Sequence, residues 1–275
     1  MNGRGLEWRR AGLLGGTAAT LLVATMGLGG CVSTTSTSEA DTSQMATTVD
    51  TDVRRRARIR LELAANYLQS GQTNVALDEI RQALAADPTF VDAYHLRGLI
   101  YMQMNDLNQA EESLNRALGM RANDPDIMHN LGWLLCQKEQ YARAEAMFDK
   151  ALAVPTYQDR NKTQMSKGVC LVRAGKPDQA EPILTRAYEL DAGNPILGYE
   201  VAKLKFDKGD LKRSQFYMRR LNSSNFATAD SLWLGIKVER GLGDHAAVRQ
   251  LAEQLRRRFP DSRQMLAYER GAFNE

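Results

Sequence analysis

The feature that most constrains this chain is an interval. Ala76, Ala110 and Ala144 stand 34 residues apart, and Ala83, Ala117 and Ala151 keep the same spacing. Twelve places before the first set come Ala64, Gly98 and Gly132, followed three residues later by Tyr67, Tyr101 and Leu135. A small residue at each of two fixed positions lets an antiparallel pair of helices, A then B, approach closely. Ile80, Leu114 and Phe148 fill the space beside them. One such pair cannot bury both its apolar faces, whereas stacked neighbours can, so the interval demands an array.

This pattern resembles the tetratricopeptide (TPR) signature. The expectation is an all-α fold, a right-handed superhelix of about six TPR helix pairs with a C-terminal capping helix and a concave groove lined by the A helices. The repeats are read at 57–90, 91–124, 125–158, 161–194, 195–228 and 229–262, within an array spanning 54–275. Two extra residues enter between Pro155 and Arg160. The fifth repeat carries Ser214 and Leu221 where Ala is usual, and Gly235 in the sixth is one place off the small-residue position. Pro182 falls inside the fourth B helix, where a missing donor predicts a local bend. Residues 262–273, apolar at Met265, Leu266, Tyr268 and Phe273, would cover the open end.

The N-terminus obeys other rules. Arg4, Arg9 and Arg10 precede an uncharged run ending in Leu28-Gly29-Gly30-Cys31, which reads as an export signal over 1–30. The end of the run resembles the lipobox of bacterial lipoproteins, in which the Cys becomes the lipidated first residue of the mature protein. The competing reading is an uncleaved membrane anchor, since about 20 uncharged residues just span a bilayer. Gly, Thr and Ala dominate the run, and a Cys marks its boundary, which favours lipidation at Cys31. No Asp follows that Cys; by analogy with lipoprotein sorting, this suggests attachment to outer-membrane lipid on the periplasmic face. Residues 31–53, rich in Ser and Thr, are read as a flexible tether with too little apolar surface to offset ordering.

The formal charge of +3 falls to about +1 once the signal is removed, so nothing favours a nucleic-acid partner. Arg54, Arg55, Arg56, Arg58 and Arg60 open the first helix. Such a run could touch anionic head groups, but with Asp50, Asp52 and Glu62 nearby it reads better as a solvated helix face. No metalloprotease helix, nucleophile elbow, phosphate loop or dinucleotide fingerprint occurs. The chain is therefore not expected to be an enzyme, to hold a cofactor or to take a small-molecule substrate. His95 and His129 are 34 apart and each follows an acid, Asp92 and Asp126, by three residues. A metal site is conceivable there, but polar contact with a bound segment is the simpler reading.

Cys136 and Cys170 lie in the A helices of repeats three and four. An even pair in an exported chain suggests a disulfide, with two buried thiols as the other reading. Trp133 sits at a groove-facing position. With Leu61, Leu68, Leu99 and Met102 it makes the inner surface of the first three repeats apolar, the kind of surface on which aromatic anchors dominate binding. Where the TPR clamp for a C-terminal carboxylate needs Lys and Asn, this chain has Leu61, Ala65 and Leu96. The expected protein-binding groove is thus Leu61, Ala65, Leu68, His95, Leu99, Met102, His129 and Trp133.

The stretch from Val75 to Cys136, with VALDEIRQALAADPTFVDAYHLRGLIYMQMNDLNQAEESLNRAL and HNLGWLLCQ, is closer to one branch of TPR proteins. Together with the lipobox ahead of it and the second Cys 34 residues beyond the first, it resembles the type IV pilus biogenesis and stability lipoproteins, the PilF/PilW family. The likeness covers roughly residues 55–275 and weakens after Leu221. It implies a six-repeat pilotin, an outer-membrane lipoprotein that helps the type IV pilus secretin reach that membrane and assemble, and so supports twitching motility. The alternatives are a TPR lipoprotein scaffold for peptidoglycan enzymes or proteases, and an accessory of outer-membrane barrel assembly.

Overall fold

In a computed structural model of the chain, residues 39–274 are described, with side chains from residue 52 onward. Among the described residues there are thirteen helices and no strand. The first six are α1 (Glu39–Gln69), α2 (Thr73–Ala86), α3 (Val91–Gln103), α4 (Leu107–Met120), α5 (Pro125–Gln137) and α6 (Tyr141–Ala153). They continue as α7 (Arg160–Arg173), α8 (Pro177–Leu190), α9 (Pro195–Asp207), α10 (Leu211–Asn222), α11 (Ala229–Gly241) and α12 (His245–Arg258), and α13 (Arg263–Glu269) closes the series. Odd-numbered helices up to α11 are the A helices and even-numbered ones the B helices. From α3 onward each A helix packs on its own B helix, and each B helix from α2 on the A helix that follows, which is the TPR superhelical fold.

The small residues do what their spacing requires. Ala76, Ala110, Ala144 and Ala180, and in the second set Ala83, Ala117, Ala151 and Ala187, are all fully buried. A Cβ built on Gly132 would stand 2.8 Å from Phe148 Cε1, so only glycine lets α5 lie on that ring. Phe148, Ile80, Leu114 and Leu184 are themselves fully buried. Each such side chain stabilises the fold by about 1.5–3 kcal/mol. In the fifth repeat Ser214 takes the small-residue position; its hydroxyl is buried and donates to the Ala202 carbonyl at 2.8 Å, satisfying the polar atom locally.

Helix starts follow from capping chemistry. Asp124 and Asn194 each accept from two backbone N–H groups of the following turn, with Pro125 and Pro195 at the first helical position. Thr228 and Ser231 form a reciprocal capping box on α11. The A-to-B turns need a left-handed residue, and Gly71, Gly175, Gly209 and Gly243 supply it. In repeats two and three the same place is held by Asn105 and Glu139, at φ 60° and 59°. α8 runs on through Pro182 to Leu190. α13 closes the end of the stack: Met265 and Ala267 are buried with Trp233 and Leu255, and the Phe273 ring stacks on Trp233 at 5.3 Å.

One boundary differs from the sequence reading. The segment taken as a flexible tether, 31–53, is helical from Glu39, because extending a helix already held by a packed segment adds a hydrogen bond for each residue fixed and avoids the cost of a nucleus. Cys31 and the signal segment lie outside the described residues.

Candidate functional site

The A helices of repeats one to three carry the groove candidates. Leu61 and Leu68 on α1 are half-buried against the first core cluster, as is Leu96 on α3. Ala65 and Leu99 are half-buried too, and Met102 and Trp133 rest partly exposed on the second cluster, around Leu131, Leu134 and Phe148. These side chains have roots in the core and tips at the surface, a shallow apolar strip on a scaffold fixed beneath it. The sequence reading missed what covers Trp133: the Arg173 guanidinium of α7 lies 4.9 Å above its ring. Such a contact orients the indole and sets a cation beside the apolar strip. The signal was an Arg in the next A helix, forty residues on, which no local pattern singles out.

The two histidines behave differently from the expectation. His95 is half-buried and shares a 2.7 Å hydrogen bond through Nε2 with Asn130 Nδ2 of α5. Burial holds its imidazole below the ordinary value, against the pull of Asp124, Asp126 and Asp92. His129 is not a groove residue. Only 5% exposed, it turns into the junction of repeats three and four, where Nδ1 lies 2.8 Å from Thr163 Oγ1. Thr163 in turn meets the Tyr157 hydroxyl at 2.7 Å, and Tyr157 comes from the α6–α7 connection, where the two extra residues enter. The reason is that interior hydroxyl pair: it offers the imidazole a polar partner away from water, which the A-helix surface does not. Burial and the nearby Lys162 ammonium hold His129 down at about 4. Asp92 is engaged with Arg121, which also pairs with Asp124, each at 2.9 Å. Among the described residues no group of three or more His, Cys, Asp or Glu is arranged to hold a metal ion.

Cys136 and Cys170 are joined by a disulfide, with their α-carbons 5.8 Å apart. Both are buried, and the bond ties α5 to α7 directly below the strip that carries Trp133. The basic run lies inside α1 rather than opening it, and is largely paired: Arg54 with Asp87, Arg55 with Asp52 and Arg60 with Glu79, at 2.5, 2.9 and 2.8 Å. No described helix is long and apolar enough to cross a membrane.

Fold and site together define a TPR array whose first three repeats present an apolar strip. Tetratricopeptide repeat models match residues 67–127, 101–155 and 129–195. The crystal structure of PilW, described as a widely conserved type IV pilus biogenesis factor, is 31% identical, superposes with a TM-score of 0.71, and is matched over 77% of this chain and 97% of its own. The type IV pilus assembly protein PilF of Pseudomonas aeruginosa is 25% identical over 245 residues, which is 89% of this chain and 94% of that protein. The solved structure of P. aeruginosa PilF shares the fold, with a TM-score of 0.72 at 22% identity over 80% of this chain and 99% of its own. The chain belongs to the PilF/PilW family of type IV pilus TPR proteins.

Proposed function

We propose that this protein is the pilotin of a type IV pilus: an outer-membrane lipoprotein, anchored through acyl chains on Cys31, that binds the pilus secretin in the periplasm and supports its delivery and multimerisation. The observation that carries the reading is the half-buried strip of Leu61, Leu68, Leu99, Met102 and Trp133, in a chain of this family. An amphipathic client segment laid on that strip would bury apolar surface that otherwise aggregates, and release at the membrane would free it for ring assembly. The Arg173–Trp133 contact supplies a rigid anchor at the end of the strip.

The test is genetic and biochemical together. A clean deletion is expected to leave secretin monomers, few heat-stable multimers and no twitching. Trp133→Ala is expected to weaken secretin binding by about 2 kcal/mol, roughly thirtyfold, without loss of the fold. Normal secretin rings in the deletion strain would overturn the pilotin reading and favour a scaffold for periplasmic enzymes.

A further inference from the structure

The far end of the array holds apolar surface that the groove of repeats one to three does not explain. Between the first turns of α9 and α11, beneath the α10–α11 connection, lies an open cavity of about 410 Å³. Ile196 and Phe226 on its wall are 50% and 62% exposed, unusual for side chains of this size; Leu221 and Tyr199 continue the apolar lining. Its polar edge is equally specific. Thr228 and Ser231 spend their hydroxyls on each other's backbone in the capping box, which leaves the Glu200 and Asp230 carboxylates as the charged groups of the lining. Burial pushes the Glu200 carboxyl above its ordinary range against the pull of Lys203 and Arg173, so a cation brought beside it would favour its charged form; neither of those two lines the cavity, and no Lys or Arg does. Arg263 and Gln264 engage one oxygen of Asp230 from α13, on the side of a neighbouring cavity.

We propose that this cavity is a second peptide-binding site, separate from the groove of repeats one to three, which takes a bulky apolar side chain against Ile196 and Phe226 with an adjacent Lys or Arg against Glu200 and Asp230. The occupant is a segment of a partner protein in which an apolar residue stands beside a cation. Charge complementarity selects it: an acidic neighbour would face two carboxylates and no countercharge in the lining, while a neutral one would leave both acids without a new partner. α13 packs on α11 and α12, and among the described residues the cavity between α9 and α11 stands open.

The test uses the full chain in detergent micelles with ¹³C-labelled isoleucine methyls, so that Ile196 reports on the cavity itself. Three short capped peptides of Gly and Ser are titrated, carrying a single Leu-Lys, Leu-Glu or Ser-Lys pair. The Ile196 methyl is expected to shift and saturate with the Leu-Lys peptide, and the other two to bind about tenfold more weakly. Phe226→Ala should weaken the Leu-Lys peptide about fivefold. Glu200→Gln with Asp230→Asn should abolish the preference for Lys over Glu, while the buried Ile80, Ile100 and Ile236 methyls, unmoved in each variant, show that the fold is kept. Trp133→Ala should leave this binding unchanged, which separates the site from the pilotin groove. Equal response to the Leu-Lys and Leu-Glu peptides, no movement of Ile196 at millimolar peptide, or dependence on Trp133 would each overturn the proposal.

Discussion

His129 occupies the same repeat position as His95, one A helix further on, yet the two rings meet different surroundings. A repeat position tells where a Cα–Cβ bond points; the rotamer is decided by the polar partners within reach. For His129 the partner, Thr163, is itself held by Tyr157, which comes from the one connection between repeats that breaks the period, so nothing in the period could reveal it. The same limit hid the Arg173–Trp133 contact, although Trp133 itself stood out at once. The burial of His129 has a signed consequence. With a folded value near 4 against about 6.5 unfolded, the imidazole stays neutral in the native state, and the unfolded chain takes up the proton that the folded one refuses. Stability is therefore lost as pH falls from 6.5 toward 4, by about 2–3 kcal/mol at pH 4.5 from this residue. Denaturant midpoints of the wild type and His129→Gln at pH 7 and pH 4.5 check it. Since carboxylate contributions are common to both, the variant should lose less stability over that interval, and parallel losses would refute the assignment.

At the scale of helices the sequence was most readable where two independent rules coincide. The A helices α5, α9 and α11 begin where the repeat register places them, because the period agrees with a capping Asp, Asn or Thr and, in α5 and α9, with an N-terminal Pro as well. The start of α1 was misplaced because only composition spoke there. Gly132 and Phe148 show how the helix pairs are held, and they yield a test of packing. Gly132→Ala gains about 1 kcal/mol in helix propensity but drives a methyl into the Phe148 ring, an overpacking cost of about 1–3 kcal/mol. The expected net is destabilisation, partly relieved in Gly132→Ala/Phe148→Ile, the combination that repeat one carries with Ala64 and Ile80 buried in one cluster. Equilibrium unfolding of both single variants and the double should show a coupling of at least 0.5 kcal/mol, roughly the scale for residues in contact. Strict additivity would mean that α5 and α6 can part at little cost.

As a whole the molecule joins a period that announces itself to an N-terminal segment that does not depend on it. If Cys31 carries the lipid, Cys31→Ser should abolish incorporation of labelled fatty acid and shift the protein out of the outer-membrane fraction, while the circular dichroism of the array stays unchanged. Equal labelling of the variant would remove the anchor from the proposal. A different property follows from the disulfide between α5 and α7. A stack of helix pairs behaves as a spring, each junction opening a little under load, but the junction of repeats three and four is bolted. Stretched between its ends by optical tweezers, the oxidised protein cannot release the loop between Cys136 and Cys170, whose sequence separation is 34. Its fully unravelled length should fall short of the reduced protein's by roughly 110 Å. A tethered array attached to a moving client would thus yield in its outer repeats while the segment that presents Trp133 keeps its shape, so that the grip on a pulled partner would fail by slipping before the holder itself gives way.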